Sequence, residues 1–455
     1  MKLKKNDIIR LEITGMTSQG SGVGRYEGIA IFVAASAIAD VLDVRIIKTS
    51  KNYAIGKIES IITPSEARIT PDCPVSGSCG GCTYRHIDYG EELKIKRQKV
   101  LDAVTRIGGL DGEIVGNIVG APDCNGYRNK AQLPIGTDRD GNYIAGFYAF
   151  HSHRIIDSKS CLLQPPIFAK VCDVFRKWCD IFKPSVYNEL THKGLLRHLY
   201  IRYGEASGDV MVCLVLNGEK AEGERQLAEM LKSEINGFKS LIININRDKT
   251  NVILGDRCRT VYGDEYITDT LCGLKFNLSP LSFYQVNRTQ AQRLYETAAE
   301  YAALSGDEIL LDLYCGTGTI GLSMAKNARK LIGVEIIPQA IENARENAKN
   351  NGITNAEFIC GDAAKAAEEL KHRGETPDVI IVDPPRKGLA AELIDTISNF
   401  DPKRVVYVSC DCATLARDIK LFGEKGYCVQ KLTPVDLFPR TAHVESVVLM
   451  SRVDK

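Results

Sequence analysis

The sequence predicts an α/β protein in three parts. A doubly wound parallel sheet occupies the last third, a small β-barrel opens the chain, and an α+β region with a cysteine cluster lies between them. Three observations lead there. From Leu304 onward apolar runs alternate with helical patterns, as in βα units whose parallel sheet is covered on both faces. The first of these runs passes into I-L-L-D-L-Y-C-G-T-G-T-I-G (residues 309–321), with glycines where a strand turns into a helix. Residues 7 to 62 read as short alternating strands with glycine-rich turns, the pattern of a small barrel.

With 455 residues the chain is long enough for two or three domains. Its 44% apolar and 25% charged content is that of an ordinary globular protein. No apolar run reaches the roughly 18 residues of a membrane span. The start, M-K-L-K-K-N-D, has no apolar core behind it to act as a secretory signal, so the expected location is cytoplasmic. A net charge of +1 neither requires nor excludes a nucleic-acid partner. Fifteen mostly scattered cysteines in a reducing compartment argue against a disulfide framework.

The barrel strands are I-I-R-L-E-I, I-A-I-F-V, D-V-R-I-I-K and Y-A-I-G-K-I-E-S-I-I, with Gly20, Gly22 and Gly24 between the first two. Residues 1–62 hold nine Lys/Arg and six Asp/Glu, an excess of +3. A basic OB-like barrel is a serviceable RNA surface, although charge alone fits a merely solvated barrel better.

Next comes P-D-C-P-V-S-G-S-C-G-G-C, which spaces Cys73, Cys79 and Cys82 as C-x5-C-x2-C. Three thiolates need a fourth ligand, and a single C-x2-C suits an iron–sulfur cluster better than zinc, which usually takes two close pairs. Cys124 and Cys161 are the nearest downstream candidates. Residues 92–107 form a basic helical pattern ended by Gly108-Gly109. From 125 to 270 strands and helices alternate. Within Y-R-N-K, Tyr127 is placed to stack a base and Arg128 and Lys130 to contact phosphates, or the three form a plain charged strand.

In the last third, five strands end in an acid or a thiol: Asp312, Glu335, Asp362, Asp383 and Cys410. The carboxyl edge of an open α/β sheet is where ligands bind, so these ends predict one pocket. The glycines at 316, 318 and 321 admit any adenosine-bearing cofactor, and Glu335 suits ribose hydroxyls of NAD or S-adenosylmethionine alike. V-D-P-P-R-K-G (382–388) is foreign to the dinucleotide fingerprint. Cys410 ends a strand just before a helix, whose N-terminus is expected to lower its pKa. Glu445 lies in an apolar strand, where a carboxylate needs a purpose. Thiolate plus carboxylate is what C5 methylation of a pyrimidine demands: the thiol adds at C6 and makes C5 nucleophilic, and a base then removes the C5 proton.

G-S-G-V-G-R, C-x5-C-G-G-C, S-F-Y-Q-V-N, D-L-Y-C-G-T-G-T-I-G, D-P-P-R-K-G, S-C-D-C-A-T-L-A-R-D and H-V-E-S-V together resemble the uracil-C5 RNA methyltransferase family, in its 23S ribosomal RNA branch, over essentially the whole chain. The first stretch also resembles a TRAM domain, an RNA-binding module. The resemblance implies a Rossmann-like class I S-adenosylmethionine-dependent methyltransferase domain (85–117 and 276–455), an OB-like TRAM barrel (1–62) and a discontinuous central domain (63–84 and 118–275). It implies Cys410 as nucleophile and Glu445 as base. Cofactor contacts are implied for Gln285, Tyr314, Glu335 and Asp383, beside the Asp312, Gly316, Gly318 and Asp362 of the strand ends and glycine turn. A [4Fe–4S] cluster is implied on Cys73, Cys79, Cys82 and Cys161. The chain departs from the family at Asp411-Cys412, where Asn-Pro is usual, which leaves Cys412 as a rival nucleophile. It also departs at Tyr284, where a second Phe is common and base stacking is expected to change. Barrel and cluster point to 23S ribosomal RNA as partner, on the expectation that the tRNA enzymes lack both. A monomer without membrane contact is expected. The competing readings are an amino-methyltransferase on adenine or guanine, a non-catalytic RNA-binding protein and, last, a nicotinamide oxidoreductase.

Overall fold

The computed structural model describes residues 3–452. Its organising element is a seven-stranded sheet of β1 (Ile309–Leu313), β2 (Lys330–Glu335), β3 (Ala356–Cys360), β4 (Val379–Val382), β5 (Arg404–Ser409), β6 (Tyr427–Val435) and β7 (Glu445–Arg452), in the order 3-2-1-4-5-7-6. Strands β1 to β5 are parallel, and β7 runs antiparallel between β5 and β6. The order reverses between β1 and β4, which opens a crevice at their carboxyl ends. Every residue of I-L-L-D-L and V-I-I-V is buried, as a sheet with two covered faces requires. The two-residue alternation divides them between two cores: Leu310, Ile381 and Val406 face one, Leu311, Ile380 and Val405 the other.

The N-terminal segment forms a six-stranded sheet from Ile8–Glu12 to Tyr53–Thr63, around Leu11, Ile13, Ile31, Val33, Leu42 and Val44. Each strand expected there is present. Gly24 is needed for close approach, since a Cβ would run into the Glu12 carbonyl oxygen. The middle of the chain builds a second, mixed seven-stranded sheet from Arg257–Gly263 to Ile155–Asp157. One of its faces packs on the helices Ile167–Phe182 and Glu224–Glu234 around Trp178. The other joins the core beneath β1 and β4 through Tyr200, Met211 and Cys213.

The basic helix spans Tyr89–Arg106, capped by Asp88, whose Oδ1 accepts the Gly90 N–H at 2.8 Å. It ends just before the expected glycine pair. Val100, Ala103 and Val104 sink into the core of the large sheet. Lys96, 1% exposed, bridges the buried carboxylates of Glu92 and Asp436 at 2.7 Å each. Asp436 also accepts the Tyr89 hydroxyl, and Glu92 accepts the Arg440 N–H. This ionic knot ties the helix to the segment between β6 and β7. Among the described residues no helix is long and apolar enough to cross a membrane.

Candidate active site

The strand β5 pairs with β7 in a register that sets Ser409 opposite Ser446. The ladder ends there: Cys410 is the next residue after β5 and Glu445 the first of β7, and the two are close enough for the Glu445 charge to act on the thiol. Glu445 is 5% exposed, and burial, reinforced by Asp383, pushes its carboxyl up to about 8. Burial pushes Asp383, at the end of β4, up to about 7. Cys410 is half-buried.

The helix after Cys410 does not lower its pKa. Burial, then Glu445 and Asp383, push the thiol up to about 11, with Arg386 opposing. The physical reason is burial first, with the two neighbouring carboxylates behind it. The helix Cys412–Glu424 offers little to offset them, because its cap Asp411 takes the Ala413 and Thr414 N–H groups at 3.0 Å each. Cys412 points away into the protein, 7% exposed, with Sγ 3.8 Å from the Lys99 carbonyl oxygen.

At the other strand ends the acids divide into two kinds. Glu335 receives Gly316 N–H on one oxygen at 3.2 Å and Ile337 N–H on the other at 3.0 Å, keeping acceptor capacity on both. Tyr314 (φ 67°) and Gly318 (φ 80°) hold the turn in left-handed backbone. A tyrosine there bears backbone strain, and its ring packs on the core of the large sheet. Asp312, by contrast, is buried beneath the turn. Its Oδ2 accepts Gly321 N–H at 2.9 Å, Oδ1 is unpartnered, and burial pushes the carboxyl up to about 8. A Cβ on Gly321 would lie 2.7 Å from that carboxylate, which explains the third glycine. Asp362 caps the helix Ala363–His372, with both N–H bonds on Oδ1. Three of the five ends, Asp312, Glu335 and Asp362, therefore hold backbone, while Glu335 keeps acceptor capacity on the same sheet edge as Asp383 and Cys410. Cys315 is buried in the core.

The S-F-Y-Q-V-N stretch is fixed from the central sheet: Asn129 Nδ2 donates to the Gln285 carbonyl oxygen at 2.9 Å. Tyr284 stacks on no base, because it is 2% exposed and its hydroxyl donates to Asp269 at 3.2 Å. The exposed ring is Phe283, at 60%. Nor do residues 127–130 offer a base and phosphate surface. The buried Tyr127 donates its hydroxyl to the Pro439 carbonyl oxygen at 2.9 Å, and desolvation pushes the half-buried Lys130 down to about 8.

Arg128 and Lys130 instead line a cavity of about 500 Å³ together with Cys73, Cys79, Cys82 and Cys161. Cys124 is not on this wall; its charged surroundings are Arg440, Glu92 and Asp436. Burial pushes Cys82 up to about 11 and raises Cys79 and Cys161. Among the described residues no three His, Cys, Asp or Glu side chains are gathered tightly enough to hold a metal ion. A four-iron cube is wider than one ion and takes its thiolates further apart. The cavity also contains buried N–H donors without partners, on Arg85, Arg128 and Gln164, which suit a sulfur-rich anion. The residues present fit such a group.

Sequence reasoning missed Arg386, although D-P-P-R-K-G contains it; its charge opposes the raised pKa values of both Cys410 and Glu445. It missed the Glu92–Lys96–Asp436 knot as well, because Asp436 lies 340 residues from Lys96.

Residues 89–453 match the family described as tRNA (Uracil-5-)-methyltransferase, and residues 2–58 match the TRAM domain. A Clostridium tetani protein described as an uncharacterized RNA methyltransferase is 44% identical over 449 residues, covering 99% of this chain and 97% of its own. A Bacillus cereus protein with the same description is 42% identical over 453 residues, covering 100% and 98%. The crystal structure of Pyrococcus abyssi tRNA (uracil-54, C5)-methyltransferase with S-adenosyl-L-homocysteine superimposes with a TM-score of 0.78 at 28% identity, covering 97% of this chain and 99% of that one. These likenesses set aside the amino-methyltransferase, nicotinamide and non-catalytic readings. The chain belongs to the RNA uracil-C5 methyltransferase family, with an N-terminal TRAM domain, and uses S-adenosylmethionine to methylate C5 of uracil in RNA.

Proposed function

We propose that the enzyme methylates a uridine of 23S ribosomal RNA, through a covalent adduct between Cys410 Sγ and C6. The observation that carries the chemistry is the pairing of β5 with β7, whose neighbouring ends bring the Cys410 thiol within electrostatic reach of the buried Glu445 carboxylate. Cys410 gives up its proton to solvent as Sγ bonds C6, and the C5–C6 electron pair moves onto the base as an enolate, whose C5 then takes the methyl group and displaces S-adenosylhomocysteine. Glu445 then removes the C5 proton, the double bond re-forms and the Cys410 thiolate leaves. S-Adenosylmethionine, when bound, supplies the methyl group and a sulfonium cation that favours ionised Asp383, Glu445 and Cys410.

Glu335, Asp383, Gln285, Tyr314, Gly316 and Gly318 would line the cofactor, with Asp312 and Asp362 acting through the backbone they hold. The domain partition carries over: 1–62; 63–84 with 118–275; and 85–117 with 276–455. It is supported by the bridge Val115–Leu432, which attaches the 85–117 piece to β6. Cys73, Cys79, Cys82 and Cys161 would hold the [4Fe–4S] cluster, and the enzyme would act as a cytoplasmic monomer. No step of the methyl transfer needs an electron, so the cluster would serve structure or RNA positioning.

The ribosomal substrate rests on the cysteine motif and its cavity. A tRNA uridine is the second reading, favoured by the Pyrococcus abyssi structure. That tRNA enzyme covers 97% of this chain, too much to leave out the barrel, so the barrel alone does not separate the two RNAs. Mapping 5-methyluridine in 23S ribosomal RNA and tRNA from a deletion strain tests the choice. Loss from 23S RNA alone supports the first reading, and loss from tRNA alone overturns it.

A further inference from the structure

Buried side-chain donors rarely go without partners, because each one left so forfeits its hydrogen bond to water. Among the described residues ten buried side-chain nitrogens and oxygens have none, and three of them belong to residues lining the cysteine cavity: Arg85 Nη1, Arg128 Nε and Gln164 Nε2. Their neighbouring atoms are well employed. Arg85 grips Asp72 through Nε at 2.6 Å and Nη2 at 3.0 Å, and Nη2 also donates to Asn125 Oδ1 at 2.7 Å. Only Nη1 of that guanidinium is idle. Arg128 lies 5.8 Å from the Tyr127 ring centre and 5.9 Å from that of Phe438, and its Nε has no partner. Gln164 is 7% exposed and held by its backbone N–H on the Cys161 carbonyl oxygen at 3.1 Å.

Donors only, all nitrogen, around four thiols form the complement of a group rich in acceptors. Four thiolates on a [4Fe–4S] core leave a net negative charge, and its sulfides and cysteine sulfurs accept N–H bonds. We propose that Arg85, Arg128 and Gln164 form the outer shell of the cluster and donate N–H···S bonds that hold it and raise its reduction potential. The inference rests on the iron–sulfur reading given above. It goes further by assigning to three residues a role that the cysteine motif does not contain. Each bond stabilises the reduced, more negative cluster more than the oxidised one, so losing a donor shifts the potential to more negative values.

The test uses full-length protein purified without oxygen, with iron and sulfide measured first. Gln164→Leu removes one donor at nearly constant volume, and Arg128→Met removes a second while leaving the Asp72 pair of Arg85 intact. Affinity for S-adenosylmethionine, a separate cleft, reports that each variant is folded. In the wild type the Fe–S stretching bands in resonance Raman shift on exchange into D2O. In each variant that shift shrinks, the potential becomes more negative, and bleaching by a chelator runs about tenfold faster. Iron-loaded wild type with D2O-insensitive bands, or variants with unmoved potentials and bleaching rates, overturns the outer-shell assignment alone. Wild type without iron and sulfide overturns the iron–sulfur reading and the assignment with it.

Discussion

Glu445→Gln separates the two halves of the reaction. Glutamine keeps the size and a hydrogen-bonding head at a 5% exposed site, but it cannot accept the C5 proton. Loss of a positioned general base costs about 10²–10⁴ in rate. That corresponds to roughly 3–5 kcal/mol at 1.36 kcal/mol per decade. The first half is spared, because Glu445 is the first charged neighbour, after burial, that pushes the Cys410 thiol up. Removing that charge eases thiolate formation, so adduct formation is expected at the wild-type rate or faster. The methylated RNA then stays bonded to the protein. The assay is a denaturing gel with methyl-labelled S-adenosylmethionine: label and RNA should travel together with the protein band. Turnover within tenfold of wild type, or a denaturation-stable complex that carries no label, would refute the assignment of Glu445 to proton removal.

Three further predictions concern the same groups. Cys410→Ala should abolish the covalent complex, whereas Cys412→Ala, altered only in packing against Lys99, should form it; the reverse outcome makes Cys412 the nucleophile. Asp312, Asp383 and Glu445 hold protons up to about 8, 7 and 8 in the folded state. In the unfolded chain such acids release theirs near pH 4. Their contribution to stability is therefore complete below about pH 4 and is lost as pH rises through 7 to 8. The Tm of the free enzyme should fall between pH 6 and 9, and Asp383→Asn should flatten the decline; a Tm that rises over that range contradicts the burial of these acids. Lys96→Met strands the Glu92 and Asp436 carboxylates and should cost about 3–5 kcal/mol in urea unfolding; a loss under about 1 kcal/mol would mean that the knot is solvated.

The sheet was legible because β–α alternation and fully apolar strands leave a parallel sheet with two covered faces as the only fit. The crevice was legible too, yet its five acidic or thiol ends were read as one class. Asp312, Glu335 and Asp362 also bind the backbone N–H groups of their own turns, a duty that an acid between a strand and a helix readily takes. The rise of the Cys410 thiol comes first from burial, which a linear reading does not show. The nearness of Cys410 and Glu445 was beyond a linear reading, because β7 inserts between β5 and β6. Tyr284 and Tyr127 looked like stacking rings, and the partners that bury them, Asp269 and Pro439, are distant in sequence.

The central claim, that Cys410 attacks C6 of a uridine whose C5 proton must later leave, is tested most directly by trapping. RNA carrying 5-fluorouridine at the target position is incubated with enzyme and S-adenosylmethionine, then denatured. Fluorine cannot leave as a proton, so a stable one-to-one protein–RNA complex is predicted for the wild type and none for Cys410→Ala. No complex with the wild type, or one that persists in Cys410→Ala, contradicts the account.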